Sequence, residues 1–164
     1  MSMRTTRRFK ASRPSVRGFS LLEVLLSLSI LAFGLLGMTA LQNEALKFNQ
    51  AAFLDSQAQF LLNDMVERIR ANRGSSLYLI NFTEVPAAVA VNCTTTSCSS
   101  NQMALWDVKE WRDNVENPAF LPAGKGQIEF DVLTQVYVIS IRYEWRQLND
   151  PDTTTRTLTM TTRI

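Results

Sequence analysis

Residues Arg17-Gly18-Phe19-Ser20-Leu21-Leu22-Glu23 stand directly before Val24 to Asn43, a stretch of twenty residues without one ionisable side chain. A lone carboxylate, Glu23, therefore heads an apolar run. An unpaired carboxylate near hydrocarbon costs at least about 2.5 kcal/mol, so an acid in that position is by default functional and needs a partner. Cutting the chain between Gly18 and Phe19 creates one, an α-amine about one helical turn from Glu23. Glycine before such a cut lets the backbone fit closely into a protease cleft. A carboxylate in a first helical turn is also favoured by the helix dipole. The residues thus point to a chain that is itself the substrate of a protease and whose new terminus pairs with Glu23.

The charges fit that division. Arg4, Arg7, Arg8, Lys10, Arg13 and Arg17 precede Gly18, and all 15 acids follow it. The leader carries +6; the other 11 Lys and Arg face 15 acids, a side-chain charge of −4 for the remainder. The basic character belongs to the leader, which argues against nucleic-acid binding. Positive charge beside a span keeps that end in the cytoplasm. The helix is oriented N-in, with everything after about residue 43 outside the inner membrane. Cys93 and Cys98 then lie in an oxidising compartment, where a disulfide is expected. Two cysteines in a chain with no His make a poor metal site, and no cofactor is implied.

An ordinary secretory signal has a short apolar core and a small-x-small cleavage site on the far side. Here the run is long enough to cross a bilayer of roughly 30 Å. The best far-side candidate, Met38-Thr39-Ala40, is weak, and Glu23 is misplaced for a signal core.

The Arg17 to Glu23 stretch resembles the prepilin cleavage and methylation motif of type IV pilins and type II secretion pseudopilins. The resemblance implies that a membrane aspartyl protease, the prepilin peptidase, cuts after Gly18 and N-methylates Phe19. It also implies that Glu23, the fifth mature residue, serves assembly by neutralising an amine on its own or an adjacent subunit. Cutting removes the +6 leader that would otherwise block extraction from the membrane into a fibre.

The elements that position this motif follow from pattern. No proline occurs between Pro14 and Pro86, and only Gly34 and Gly37 interrupt residues 19–73. One helix from about Ser20 to Arg73 is permitted, apolar all round in its first half. In its second half Leu54, Ala58, Leu61, Leu62, Met65 and Ile69 recur as one buried face. Gly34 and Gly37 are open to three readings: close helix approach, points where the helix stretches in a fibre, or ordinary membrane-helix glycines. Gly74-Ser75-Ser76 gives a C-cap signal, and Arg68, Arg70 and Arg73 read as a basic last turn that suits the dipole.

Residues 77–104 form a connecting region with possible short strands at Leu77 to Phe82 and Val85 to Val91. Residues 102–116 read as a short helix with Leu105, Trp106, Val108, Trp111 and Val115 on its apolar side and both tryptophans in the core. Asp107, Glu110, Asp113 and Glu116 read as a solvated face. Gly124-Lys125-Gly126 reads as a turn. Three β runs follow, Gln127 to Leu133, Val136 to Arg146 and Arg156 to Ile164. Thr134-Gln135 is expected as a tight hairpin, and Asn149-Asp150-Pro151-Asp152 as a turn. Tyr137, Ile139, Ile141, Tyr143 and Trp145 should face the amphipathic half of the long helix. The fold class is α+β, an antiparallel meander covered on one face by a helix, the shape of the type IV pilin fold. The divisions are a leader 1–18 that is removed, a transmembrane and assembly segment 19–43, an amphipathic segment 44–73 and a periplasmic head 74–164.

Asp64 to Gly74, Leu121 to Gly126 and Tyr143-Glu144-Trp145 are similar to PilV-type minor pilins. That similarity implies a minor subunit that primes or caps the type IV pilus (fimbrium), in support of twitching motility and adhesion. Its implied partners are the prepilin peptidase, the major pilin, other minor pilins and the inner-membrane assembly platform. A minor pseudopilin of type II secretion is the alternative, since both share the N-terminal motif. A tethered enzyme is disfavoured: the chain has no His, no serine-nucleophile signature and no glycine-rich phosphate loop. An adhesive tip that holds Ca²⁺ at Asp150 and Asp152 is weaker than a plain solvated turn.

Overall fold

The computed structural model describes residues 18–146 and 153–163. The basic leader before Gly18, the expected turn with Asp150 and Asp152, and Ile164 lie outside them. The described chain holds α1 (Leu21–Ala71), α2 (Ser100–Val115), β1 (Lys125–Asp131), β2 (Val136–Arg146) and β3 (Thr153–Arg163). It divides after Gln42 into two compact units, each described by itself.

In the first unit, Leu21 to Gln42 are helical and exposed throughout. Its polar side chains return to their own helix. Ser27 Oγ donates to Val24 O at 2.9 Å, Ser29 Oγ to Leu25 O at 2.9 Å, and Thr39 Oγ1 to Leu36 O at 2.8 Å. Those three hydroxyls are thereby satisfied within the segment, which is what hydrocarbon requires of a polar group. By length and composition α1 can cross a membrane.

In the second unit, the later half of α1, together with α2 and the sheet, encloses one core. From α1 come Leu54, Ala58, Leu61, Leu62, Met65, Val66 and Ile69, the expected stripe with Val66 added. The sheet is antiparallel in the order β1-β2-β3. Tyr137, Ile139, Ile141 and Tyr143 are buried on one face of β2, joined by Ile128 of β1. Trp145 continues that face at its half-buried end. This is the α+β pilin-like architecture expected.

Several boundaries differ from the sequence reading, each for a local reason. The β1–β2 connection is a loop of residues 132–135, since Asp131 pairs with Val136. The Asp131 carboxylate accepts from Leu133 N at 2.9 Å and Thr134 Oγ1 at 2.7 Å, and Gln135 takes a φ of 56°. An Asx-type turn replaces the two-residue hairpin. Gly74 lacks the positive φ of a glycine C-cap. The end of α1 is held instead by Asn72, whose amide donates to Tyr78 Oη at 2.9 Å and Ser100 O at 2.8 Å.

The expected strand at 77–82 shrinks to a single bridge, Ile80 with Ile128, and Val85 to Val91 form no strand. Arg112 holds the chain between the two. Its Nη1 and Nη2 donate to the carbonyls of Asn81 (3.2 Å), Phe82 (2.9 Å) and Glu84 (3.2 Å). Asn81 O also accepts from Glu84 N at 3.1 Å, a turn that follows the single bridge at Ile80.

α2 starts with a capping box: Ser99 Oγ accepts from Gln102 N, and Gln102 Oε1 accepts from Ser99 N at 2.9 Å. Its buried face is Ala104, Asp107, Val108, Trp111, Arg112 and Val115. Trp111 is in the core as expected. Trp106 and Leu105 are only half-buried, because the face is rotated to admit Asp107 and Arg112.

Candidate functional site

Gly18, Phe19 and Ser20 precede α1 in non-helical backbone. Ser20 O accepts from Glu23 N at 3.0 Å and from Val24 N at 3.3 Å. These bonds close the first turn and set Glu23 one turn from Phe19. Phe19 is exposed at 83 %, and the first turn carries one acid, Glu23. A Cβ on Gly18 would meet nothing within 4 Å. Among the described residues, nothing within that distance demands glycine there. The three predicted residues share one short segment, a scissile-bond candidate in open backbone beside a carboxylate at a helix start.

Cys93 and Cys98, the other predicted pair, lie in the head and are bonded, with Cα atoms 5.6 Å apart. Cys98 precedes the Ser99 cap, so the small ring anchors the start of α2.

The head also holds two polar clusters that the sequence reading did not assign. Arg68 on α1 donates from Nε to Asp64 at 2.9 Å, and from Nη1 to Asp107 at 2.9 Å and Glu110 at 2.7 Å. Asp107 in turn accepts from Tyr78 Oη at 3.0 Å. The expected solvated face is thus corrected: Asp107 is buried, and Glu110 faces α1. Arg68 likewise does more than complement a helix dipole. Burial by itself lowers the Arg68 pKa, but its hydrogen bonds with Glu110, Asp107 and Asp64 prevail and hold it above the usual range. Burial raises the Tyr78 hydroxyl, and neighbouring Asp107 raises it further against the opposing Asn72 amide.

Arg112 is the second hub, 2 % exposed. Besides the three carbonyls of 81–84, its guanidinium bonds Gly126 O, and its Nε donates to Glu116 at 2.9 Å. All five N–H groups of the fork are used. Glu116 also takes Lys125 Nζ at 2.8 Å. Burial opposes ionisation of Glu116, yet Lys125 and Arg112 hold it below the ordinary carboxylate value. A buried arginine with five partners locks the connecting region onto α2 and β1. The one sequence signal for it was an arginine among the apolar residues of α2.

Gly124 and Gly126 are more than a turn. A Cβ on Gly124 would lie 1.9 Å from Val115 O, and one on Gly126 would lie 2.4 Å from Trp111 Cη2. Both glycines are sites of close approach between β1 and α2. Trp111 completes the contact by donating from Nε1 to Leu61 O on α1 at 2.8 Å.

Comparison with known families gives two adjoining matches. Residues 13–39 match the prokaryotic N-terminal methylation motif, and residues 40–109 match the family described as Type IV pilin Tt1218. No curated protein and no solved structure gives a significant match. The first match covers the open segment before α1 and most of the apolar run. The second runs from α1 through the disulfide loop into α2 and includes both Arg68 and Asp107. The chain is thus similar to type IV pilins over residues 40–109 and carries the prokaryotic N-terminal methylation motif over residues 13–39.

Proposed function

We propose that this chain is a type IV pilin, a minor subunit of the PilV-like kind, which primes or caps a type IV pilus. The subunit is held in the inner membrane N-in, with its head in the periplasm. The prepilin peptidase cuts between Gly18 and Phe19 and methylates the Phe19 amine. The cut takes away the +6 leader, whose transfer out of the cytoplasm the membrane opposes. The segment 19–43 then leaves lipid for a helix bundle shared with the major pilin and other minor pilins, at the inner-membrane assembly platform. Glu23 pairs there with an N-terminal amine of its own or an adjacent subunit.

The observation that carries this reading is the placement of the Arg17 to Glu23 motif. Gly18 and Phe19 lie in exposed backbone, one turn before a lone acid and a twenty-residue run without charge. Intact mass of the chain recovered from cells tests it. The expected mass lacks residues 1–18 and gains one methyl group. A chain that still begins at Met1, or that begins beyond the apolar run, overturns it. Co-purification separates the pilus from the secretion alternative: minor pilins with the head support the first, secretion subunits the second.

A further inference from the structure

We propose that the head carries a β-strand donor and its acceptor at opposite ends of one sheet, so that copies join edge to edge. The donor is 85–91 of one copy, and the acceptor is the outer edge of β3 in the next. The inference rests on the reading of the chain as a pilus subunit and adds that successive copies of it enter the priming or capping complex.

Three observations carry it. First, β3 is an edge strand of eleven residues. Among the described residues its backbone pairs only with β2. An edge this long normally meets cover, a bulge, a proline or charged side chains; β3 contains no proline, and its arginines, Arg156 and Arg163, flank an uncharged stretch 157–162. Second, Val85-Pro86-Ala87-Ala88-Val89-Ala90-Val91 follows the Ile80–Ile128 bridge on the β1 side of the sheet. It makes no backbone hydrogen bond among the described residues; Val85 is 84 % exposed, and Val89 and Val91 are half-buried. An unpaired apolar segment at one side and an open edge at the other make a heterologous contact, the type that propagates into open assemblies.

Third, one register satisfies charge and burial together. With Glu84 opposite Arg163 in antiparallel sense, Ala87 falls opposite Met160 and Val89 opposite Leu158. Met160 and Leu158 face the core but remain only partly buried, so the incoming strand completes their cover. The same register sets Ala88 opposite Thr159 on the solvent face. A slip of one residue would turn Val89 outward and separate the charges. Pro86 sits near the start of the donor, where a missing N–H is tolerated.

The test is disulfide capture between full-length chains in cells. Ala88 and Thr159 are both exposed, so neither substitution touches the core. One copy carries Ala88→Cys and the other Thr159→Cys, with Ala88→Cys against Thr155→Cys as the out-of-register control. The expected result is a crosslinked dimer from the first pair and at least tenfold less from the control. A single chain carrying both Ala88→Cys and Thr159→Cys should give a ladder of multimers. Absence of the dimer, an equal yield from the control, or capture of Thr159→Cys by a different protein alone overturns the proposal. Mass analysis of the same samples reports N-terminal maturation. A correctly processed chain without the crosslink removes this inference and leaves the pilin function standing; an unprocessed chain removes the function.

Discussion

Arg68 on α1 and Asp107 on α2 meet at 2.9 Å across 39 residues of sequence, with Asp64 and Glu110 on the same guanidinium. One cation thus bonds three carboxylates, one on α1 and two on α2. Removing it leaves Asp107, 9 % exposed, without its ionic partner. Loss of one member of a buried pair costs about 3–5 kcal/mol, and the partial exposure here reduces that to roughly 2–3 kcal/mol. Arg68→Ala should lower the urea midpoint of the purified chain accordingly, followed by tryptophan fluorescence. Glu110→Ala removes the most exposed of the three acids and should cost under about 1 kcal/mol. Equal effects from the two variants would show that the cluster is not centred on Arg68.

The glycines of the head give a ranked expectation. Gly124→Ala drives a methyl into the Val115 carbonyl, a backbone atom that cannot rotate away. Gly126→Ala drives one into the Trp111 ring, which is fully buried and bonded to Leu61 O. Gly74→Ala meets only Ser100 Oγ at 3.2 Å. Overpacking costs about 1–3 kcal/mol, so Gly126→Ala should fall in that range and Gly124→Ala at or above its top. Gly74→Ala should be nearly neutral. Thermal unfolding of the three variants checks the order.

Much of this architecture is legible in the sequence because it is periodic. The stripe Leu54 to Ile69 and the alternation Tyr137 to Trp145 each repeat with the period of their element, and the structure buries both. The Arg17 to Glu23 motif is legible because its residues are contiguous. What escapes is the partner of a charge. Asp107, Glu110, Asp113 and Glu116 look like one solvated row by spacing alone, yet the first is buried against residues 29 and 39 positions away. Arg112 is equally opaque: its ligands are backbone carbonyls, which leave no mark in a side-chain pattern. The turn at 81–84 is opaque for the same reason, since propensity cannot register which carbonyls a distant guanidinium has taken.

All three tyrosines of the chain resist ionisation. Burial raises Tyr78, Tyr137 and Tyr143 above the ordinary value of 10.0, with Asp107 adding to the first and Asp55 to the last. A folded-state pKa above the unfolded one gives stability that is fully present below pH 10 and is lost as pH rises beyond it. Tyrosinate absorbance should therefore appear in one late step that coincides with unfolding. A tyrosine that titrates near pH 10 in the folded head contradicts this. On the acid side the sign reverses. Glu116 lies below its ordinary 4.5, so its contribution is present above that pH and fades as pH falls through the folded value. Its 38 % exposure keeps that contribution small.

Glu23 offers the sharpest separation of membrane insertion from assembly. The apolar run that follows it has no other ionisable group, so Glu23→Ala leaves insertion unhindered and removes a desolvation cost. The proposed cleavage site between Gly18 and Phe19 is also untouched by the change, so cleavage should proceed. Entry into a fibre is different, because the Phe19 amine would then enter a helix bundle without a carboxylate. An uncompensated charge in hydrocarbon costs about 2.5–3.5 kcal/mol on insertion scales, which corresponds to roughly a hundredfold loss of incorporation. Cells expressing Glu23→Ala should hold mature, membrane-bound chain and shed almost none of it in sheared fibres. Glu23→Gln keeps the shape without the charge and should behave as the alanine variant does. Gly18→Val should arrest the chain earlier, uncut and with its leader attached. Recovery of Glu23→Ala in fibres at the parental level would mean that the amine finds its counter-charge elsewhere and that Glu23 is dispensable to stacking.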